Sequence, residues 1–514
     1  MKQKITAFVI LLSLAMTLLS GCGGGENAVF SSEESTQTIE TVEIDTTQAV
    51  PVADEDSEAE SAESQDPSEG TPTETPPDGG PGGTPPDGGS GGPGGTPPGG
   101  APGSSGSSDI DYTGAVEITS ADTQSGQTYA STTADESALL ISTDGEVTIT
   151  DPAVTKTGDS DGGDNCNFYG LNAAVLVKDG TTTTITGGTV TSSASGANGV
   201  FSYGGNGGQN GAAGDGTTLI IRDTEIQTSG SGSGGIMTTG GGITYAYDLS
   251  VTTSGQSSAA IRTDRGGGTV YVDGGSYTSN GLGSPAIYST AEIHTANAAL
   301  TSNLSEGVCI EGVNSIELTD CDLTANNTKC NGNATFYDTI MIYQSMSGDA
   351  DSGTSSFTMT GGSLTSKNGH VFHVTNTNAV ISLRGVTIQN EDEDGILLSV
   401  CADGWSGGSN VAALNAASQT LNGILKVGSD SELTMNLTEG SSFTGSIDGN
   451  IVNASGSVVS TEVGSVSVSL DENSTWTLTG DSYISAFTGD AANIITQGHT
   501  LYVNGVPLTG TKEA

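Results

Sequence analysis

Cationic side chains are scarce in this sequence: 12 Lys and Arg stand against 60 Asp and Glu, a formal charge of −48 over 514 residues. Binding to a phosphate backbone draws its free energy from counterions released by clustered Lys and Arg, so a nucleic-acid partner is excluded. Attraction to an anionic membrane surface is disfavoured for the same reason. Aromatic residues are only 5% and hydrophobic residues 33% of the chain. A bundle of bulky amphipathic helices is therefore not expected. Four His, at 294, 370, 373 and 499, are spread through the chain. On a strand His370 and His373 would face opposite sides, which argues against a metal or nucleophile site built on them. What the chain has in abundance is Gly, 78 residues, together with Ser, Thr and Asn.

The first twenty-odd residues carry an address. Lys2 and Lys4 precede an apolar run from Ile5 to Leu19 and then small residues, the layout of a secretory signal. The run is short for a membrane span. Its end, Leu19-Ser20-Gly21-Cys22, resembles the bacterial lipobox, which implies cleavage after residue 21 and lipidation of Cys22. Residues 1–21 are thus expected to be a lipoprotein signal peptide, and the mature protein to be extracytoplasmic, anchored in the bacterial membrane and exposed at the cell surface. From Gly23 to Ser108 there is no Lys or Arg, 17 carboxylates occur, and 12 of the 15 Pro fall between Pro51 and Pro102. Such a segment cannot bury a core, so residues 22–108 are read as a disordered tether, acidic at first and then rich in Pro and Gly.

From residue 109 the texture changes to alternating Thr, Val and Ile cut by Gly. A first unit recurs as an apolar residue, four mostly small or polar residues, and another apolar residue: Ile149 to Val154, Ile185 to Val190, Ile221 to Ile226, Val272 to Tyr277 and Met359 to Leu364 are examples. A second unit, a small residue then an apolar one, follows ten residues later at Gly199-Val200, Gly235-Ile236, Ala260-Ile261 and Ala286-Ile287. Successive first units lie 25 or 26 residues apart between Ile221 and Val272, and larger gaps near 292–310 and 318–359 predict a degenerate coil and a coil with an insertion. A short β-rich period without helical spacing predicts a parallel β-solenoid of ten to twelve coils over 109–514, irregular toward 400–514. Gly and Asn would supply the positive φ angles at its corners.

Coil length and degeneracy resemble the single-stranded, right-handed parallel β-helix of the pectin-lyase-like superfamily, particularly its adhesin-like secreted members. The resemblance implies an all-β fold and a surface-displayed protein that binds carbohydrate or another cell-surface ligand without catalysis. Polysaccharide lyases and glycoside hydrolases share the architecture and form the alternative; a structural cell-surface protein is the second. The polygalacturonase-like Gly-His-Gly segment is not matched, because Gly369-His370 is followed by Val371. Four Arg in the chain would supply a polyuronate cleft poorly.

Alignment of the second unit predicts an outward face bearing Phe201, Met237, Arg262 and Tyr288, with Tyr203 and Asp264 beside them. A neighbouring ladder would hold Tyr245 and Tyr271 with Tyr247 and Arg222. Aromatic faces with an Arg and a carboxylate suit sugar rings and their hydroxyls; the alternative is that the same side chains stack on one another. Two acidic turns are candidate Ca²⁺ sites: Asp159, Asp161 and Asp164, and the run Glu391, Asp392, Glu393 and Asp394 before Gly395. Neither matches a full calcium-loop pattern, and no other cofactor is implied. Of the five Cys beyond Cys22, Cys321 and Cys330 are placed to close a small disulfide loop, or all five serve as buried thiols. Thr-rich strands also raise ice binding, which is set aside because Thr-x-Thr does not repeat in register.

Overall fold

The computed structural model describes residues 110–206 and 213–513. The signal peptide, Cys22 and the tether expected at 22–108 lie outside the described residues.

Three long parallel sheets wrap one core, each coil of chain contributing one strand to each sheet in turn. Sheet A has 15 strands, sheet B 14 and sheet C 10. The first coil runs through Thr113–Ile118 in A, Asp122–Ser125 in B and Thr128–Ser131 in C. The pattern repeats until sheet C ends at Thr387–Asn390, after which the coils continue on A and B. This is a parallel β-helix. Fifteen strands at about 4.8 Å spacing make a stack of about 65 Å, longer than the rod of ten to twelve coils read from the repeats.

Alternation and register explain the interior. In sheet B, Ile149, Ile185, Ile221, Ala246 and Val272 are successive register partners, each essentially fully buried. Sheet C supplies Val154, Val190, Ile226, Val251 and Tyr277 in the same manner. Each Val or Ile among them contributes about 1.5–3 kcal/mol by leaving water, and the neighbours above and below each are the equivalent positions of adjacent coils. The first unit is therefore the corner between B and C, and the second unit begins a strand of A.

The corner has one conformational requirement. The third residue of the unit takes positive φ in each of the ten coils that have a strand in sheet C: Gly126, Asp151, Gly187, Asp223, Asp248, Gly274, Asn297, Asp320, Gly361 and Gly385. Only Gly, Asp and Asn occur there, the residues that tolerate the left-handed region best.

The segment 292–310, read as degenerate, is a regular coil with strands Glu292–Ala296, Ala299–Ser302 and Val308–Glu311. The longer interval after Leu318 is one coil carrying insertions, at 326–337 before Asp338–Tyr343 and at 344–353 after it. With the short helix Asp164–Phe168 and the loop after Cys401, these insertions lie on the outer face of sheet A and build a second apolar layer. Its clusters join Phe168, Phe201 and Tyr203; Tyr288, Tyr343 and Trp405; and Phe336, Cys401 and Ile451.

Candidate functional site

The second layer overturns one expectation. Phe201, Met237, Arg262 and Tyr288 are register partners on the outer side of sheet A, as the repeat implied. They do not meet solvent. Phe201 and Met237 are 0% exposed, and Tyr203, Asp264, Arg262 and Tyr288 reach at most 8%. The repeat shows which way a side chain points from a strand but carries no information about a loop from elsewhere that covers it. Arg262 Nη2 donates to Asp264 Oδ2 at 2.6 Å, and Tyr288 OH donates to Glu311 Oε2 at 2.6 Å. Burial pushes the Asp264 carboxyl up to about 7, against the opposing pull of Arg262. These residues hold the second layer together and present no open surface.

Among the described residues, sheet B is open here where sheet A is covered. Tyr245, Tyr271 and His294 are successive partners on its outer side, with ring centroids 5.1 and 5.0 Å apart and planes within 10°. The rings lie face to face, so they offer edges and hydroxyls to solvent, not broad platforms. Tyr271 is 39% exposed. His294 closes the stack with Nε2 2.9 Å from Glu292 Oε1 and Nδ1 3.0 Å from Glu317 Oε2. A ring carrying both protons would donate to both carboxylates.

Beside this stack runs a second outward row: Arg222, Tyr247, Asp273, Ala296 and Thr319. The Arg222 guanidinium carbon lies 3.7 Å from the Tyr247 ring centroid and covers one face. The next residues of the row after Tyr247 are Asp273 and the small Ala296. Where the row drops from Tyr to Ala, an open groove of about 450 Å³ appears, with the Tyr245–Tyr271–His294 stack along it and Tyr247, Asp273, Glu317 and Thr319 around it.

A further constellation escaped the sequence reading. Ser399 Oγ lies 2.7 Å from Nδ1 of both His370 and His373, and His373 Nε2 lies 3.4 Å from Asp403 Oδ2. The expected opposite facing of the two His fails because alternation breaks where the strand leaves its corner: Val371 and Phe372 both join the inner core, so His370 and His373 share the outer side. Asp403 Oδ1 accepts from Thr335 N and Oγ1 and from Gly404 N at 2.6–2.9 Å. Burial pushes the Asp403 carboxyl up, but His373, Thr335 and Gly404 outweigh it and hold it below its ordinary value. Burial pushes the His370 imidazole down to about 3, with His373 adding to the effect. Ser399, His373 and the Asp403 side chain are 0% exposed, and Phe336 packs on both imidazoles.

The acidic turns hold backbone amides, chiefly of adjacent coils. Asp159 Oδ1 accepts from Ser195 N, and Asp392 accepts from Gly369 N and Asp394 N. Among the described residues no three His, Cys, Asp or Glu converge as a metal-binding group, so Asp161, Asp164, Glu391 and Glu393 join no such set. Of the two readings of the cysteines, the free thiols are what the structure shows: Cys321 and Cys330 are both free, as are Cys166, Cys309 and Cys401, with Cys330 only half-buried. On sheet C the outer row reads Thr155, Thr191, Gln227, Thr252, Thr278, Thr301, Thr324 and Thr365. Its companion row holds Ala153, Thr189, Glu225, Ser250, Ser276, Ala299, Asp322 and Ser363, so paired threonines occur there only at 189 and 191.

No protein-family model, curated protein or solved structure matches this chain.

Proposed function

We propose that the chain is a lipid-anchored, surface-displayed binding protein whose β-helix recognises a glycan in the groove of sheet B. The observation that carries this reading is Tyr247, backed on one face by Arg222 and lining an open groove with hydroxyl and carboxylate acceptors along it. A sugar ring stacked there would use its C–H face against the aromatic ring and its hydroxyls toward Asp273, Glu317 and the tyrosine edges. The surrounding carboxylates favour neutral or amino sugars over uronates. A long acidic tether, as the sequence implies for 22–108, would carry this face away from the membrane.

The test is a glycan-array screen with the full-length chain, repeated with Tyr247→Ala and Tyr271→Ala. Saturable binding reduced roughly three- to tenfold by Tyr247→Ala, the worth of one aromatic stack, supports the groove. Binding indifferent to both substitutions removes the site from sheet B. Each bound glycan is then assayed for cleavage. The enzymatic reading is favoured by one observation, the Ser399, His373 and Asp403 arrangement. Its complete burial beneath Phe336 opposes it, because acyl transfer needs a substrate within reach of the serine. Release of an ester-linked acyl group from a bound glycan, lost in Ser399→Ala, would decide for an acyl-transfer enzyme.

A further inference from the structure

Two carboxylates stand side by side inside the second layer with no cationic side chain between them. Glu306 and Asp338 occupy adjacent coils, the link Gly307 N to Thr339 O at 2.8 Å setting them in register. Glu306 is 4% and Asp338 1% exposed. Like charges opposite one another on neighbouring strands repel, and a buried carboxylate without compensation is strongly disfavoured. Yet both Asp338 oxygens lack any hydrogen-bond donor. Ser305 Oγ donates to Glu306 Oε2. Asn327, on the covering insertion, is 0% exposed; its Nδ2 donates to Asp338 O at 3.3 Å and its amide also serves the Glu306 carboxylate, while its Oδ1 is unsatisfied. Three orphaned oxygens on two adjoining residues, beside a second buried carboxylate, are acceptors waiting for positive charge.

We propose that Glu306, Asp338 and Asn327 bind one Ca²⁺ ion, with backbone carbonyls and water completing its coordination. The donors are all oxygen, which selects a hard cation, and two carboxylates neutralise a divalent one. Ca²⁺ accepts irregular sets of six to eight oxygens, whereas Mg²⁺ demands near-octahedral geometry and keeps its water. Zn²⁺ prefers nitrogen or sulfur; the His373 Nδ1 is taken by Ser399 and its Nε2 faces Asp403 at 3.4 Å, while the Cys330 Sγ points to Phe336 O at 3.4 Å. The ion would join sheet A to the 326–337 insertion through Asn327, and so fix the lid over the Ser399 cluster. This site is separate from the acidic turns at 159–164 and 391–394 and from the sheet B groove.

The experiment compares full-length wild type with Asp338→Asn and Glu306→Gln, near-isosteric changes that remove charge and keep shape. After equilibration with excess Ca²⁺ and desalting, metal content is measured, and thermal unfolding is followed in Ca²⁺, Mg²⁺, Zn²⁺ or chelator alone. Differences between wild type and variant cancel weak binding by the many exposed carboxylates. The expected result is about one more Ca²⁺ retained by wild type than by either variant, and a melting temperature raised by Ca²⁺ in wild type alone. Limited proteolysis within 326–337 should quicken when wild type is chelated. Equal Ca²⁺ content in all three proteins overturns the proposal, as does a response to Zn²⁺ without one to Ca²⁺. If both variants fold as well as wild type and none responds to Ca²⁺, Glu306 and Asp338 are a proton-sharing acid pair, and the proposal fails.

Discussion

Asp264 shows how one buried residue can contribute to the chain's response to pH. Burial raises its carboxyl to about 7, against Arg262 at 2.6 Å and the Arg265 backbone N–H, while Asp349 adds to the rise. An unfolded aspartate titrates near 4, so between about pH 4 and 7 the folded chain holds a proton that the unfolded chain has released. The sign follows: stability is highest below that window and falls as pH rises through it, by about 1.4 kcal/mol per pH unit for this one proton. Denaturant melts of wild type and Asp264→Asn across pH 4 to 8 should therefore differ in slope by about one proton, whatever the absolute stability of the variant. Parallel curves would mean that Arg262 keeps Asp264 ionised throughout. That these residues form a buried network was not legible in the sequence. Asn167, 95 residues before Arg262, faces its guanidinium at 3.4 Å, and Asp349, 84 residues after Arg265, pairs with it at 2.7 Å; neither spacing falls within one period of the repeat.

At the scale of the corner between sheets B and C, the repeat is a stack of left-handed residues in which Asp and Gly answer one another. A side chain added at Gly361 would bring its Cβ to within 2.1 Å of Asp320 Oδ1 in the preceding coil, and at Gly274 to within 2.2 Å of Asp248 Oδ1. Gly361 also holds φ at +68°. Two separable costs meet there: the left-handed backbone, about 1–2 kcal/mol for a residue with a Cβ, and the clash with Asp320. Gly361→Ala should destabilise by both, while Asp320→Gly alone costs little. Combining them should recover the steric part and leave the backbone part, a coupling that a double-mutant cycle of thermal or denaturant stability measures directly. Additive effects would show that Asp320 simply swings aside. This level of structure was readable in advance, since the first unit is a sequence of about six residues whose apolar ends and Gly, Asp or Asn third position are local requirements. Coil 292–310 looked degenerate because its corner is Thr295 to Leu300 with Asn297 in third place, and a polar inward residue hid the unit. The Tyr245 and Tyr271 ladder was legible for the same reason: both lie in the bare stretch of sheet B where register alone decides their neighbours.

Over the whole molecule the solenoid is one-dimensional, each coil touching chiefly its neighbours, and the insertions on sheet A break that rule. Phe336 joins three distant parts of the chain: it packs on His370 and His373 at ring distances of 5.3 and 4.8 Å, and clusters with Cys401 and with Ile451 of the hairpin Ile451–Val452 and Val458–Ser460. Thr335 O also accepts from Ala454 N at 2.9 Å. One insertion thus ties the coil at 338–343 to a hairpin more than a hundred residues later. Phe336→Ala should cost about 3–5 kcal/mol, the usual loss for a buried Phe, but unevenly. In a stack of nearest-neighbour units, the coils before Val308 have little share in this cluster and should keep their protection. Hydrogen exchange should therefore accelerate together at 326–337 and 451–460, while strands such as Ile221's and Ile226's remain as slow as in wild type. The same substitution uncovers His373 and Ser399, so labelling of Ser399 by an acyl-transfer probe becomes the sensitive check on whether that arrangement is a buried strut or a nucleophile held shut. Uniform acceleration along the rod would instead show that the β-helix unfolds as a single unit and that the insertion is no local clamp.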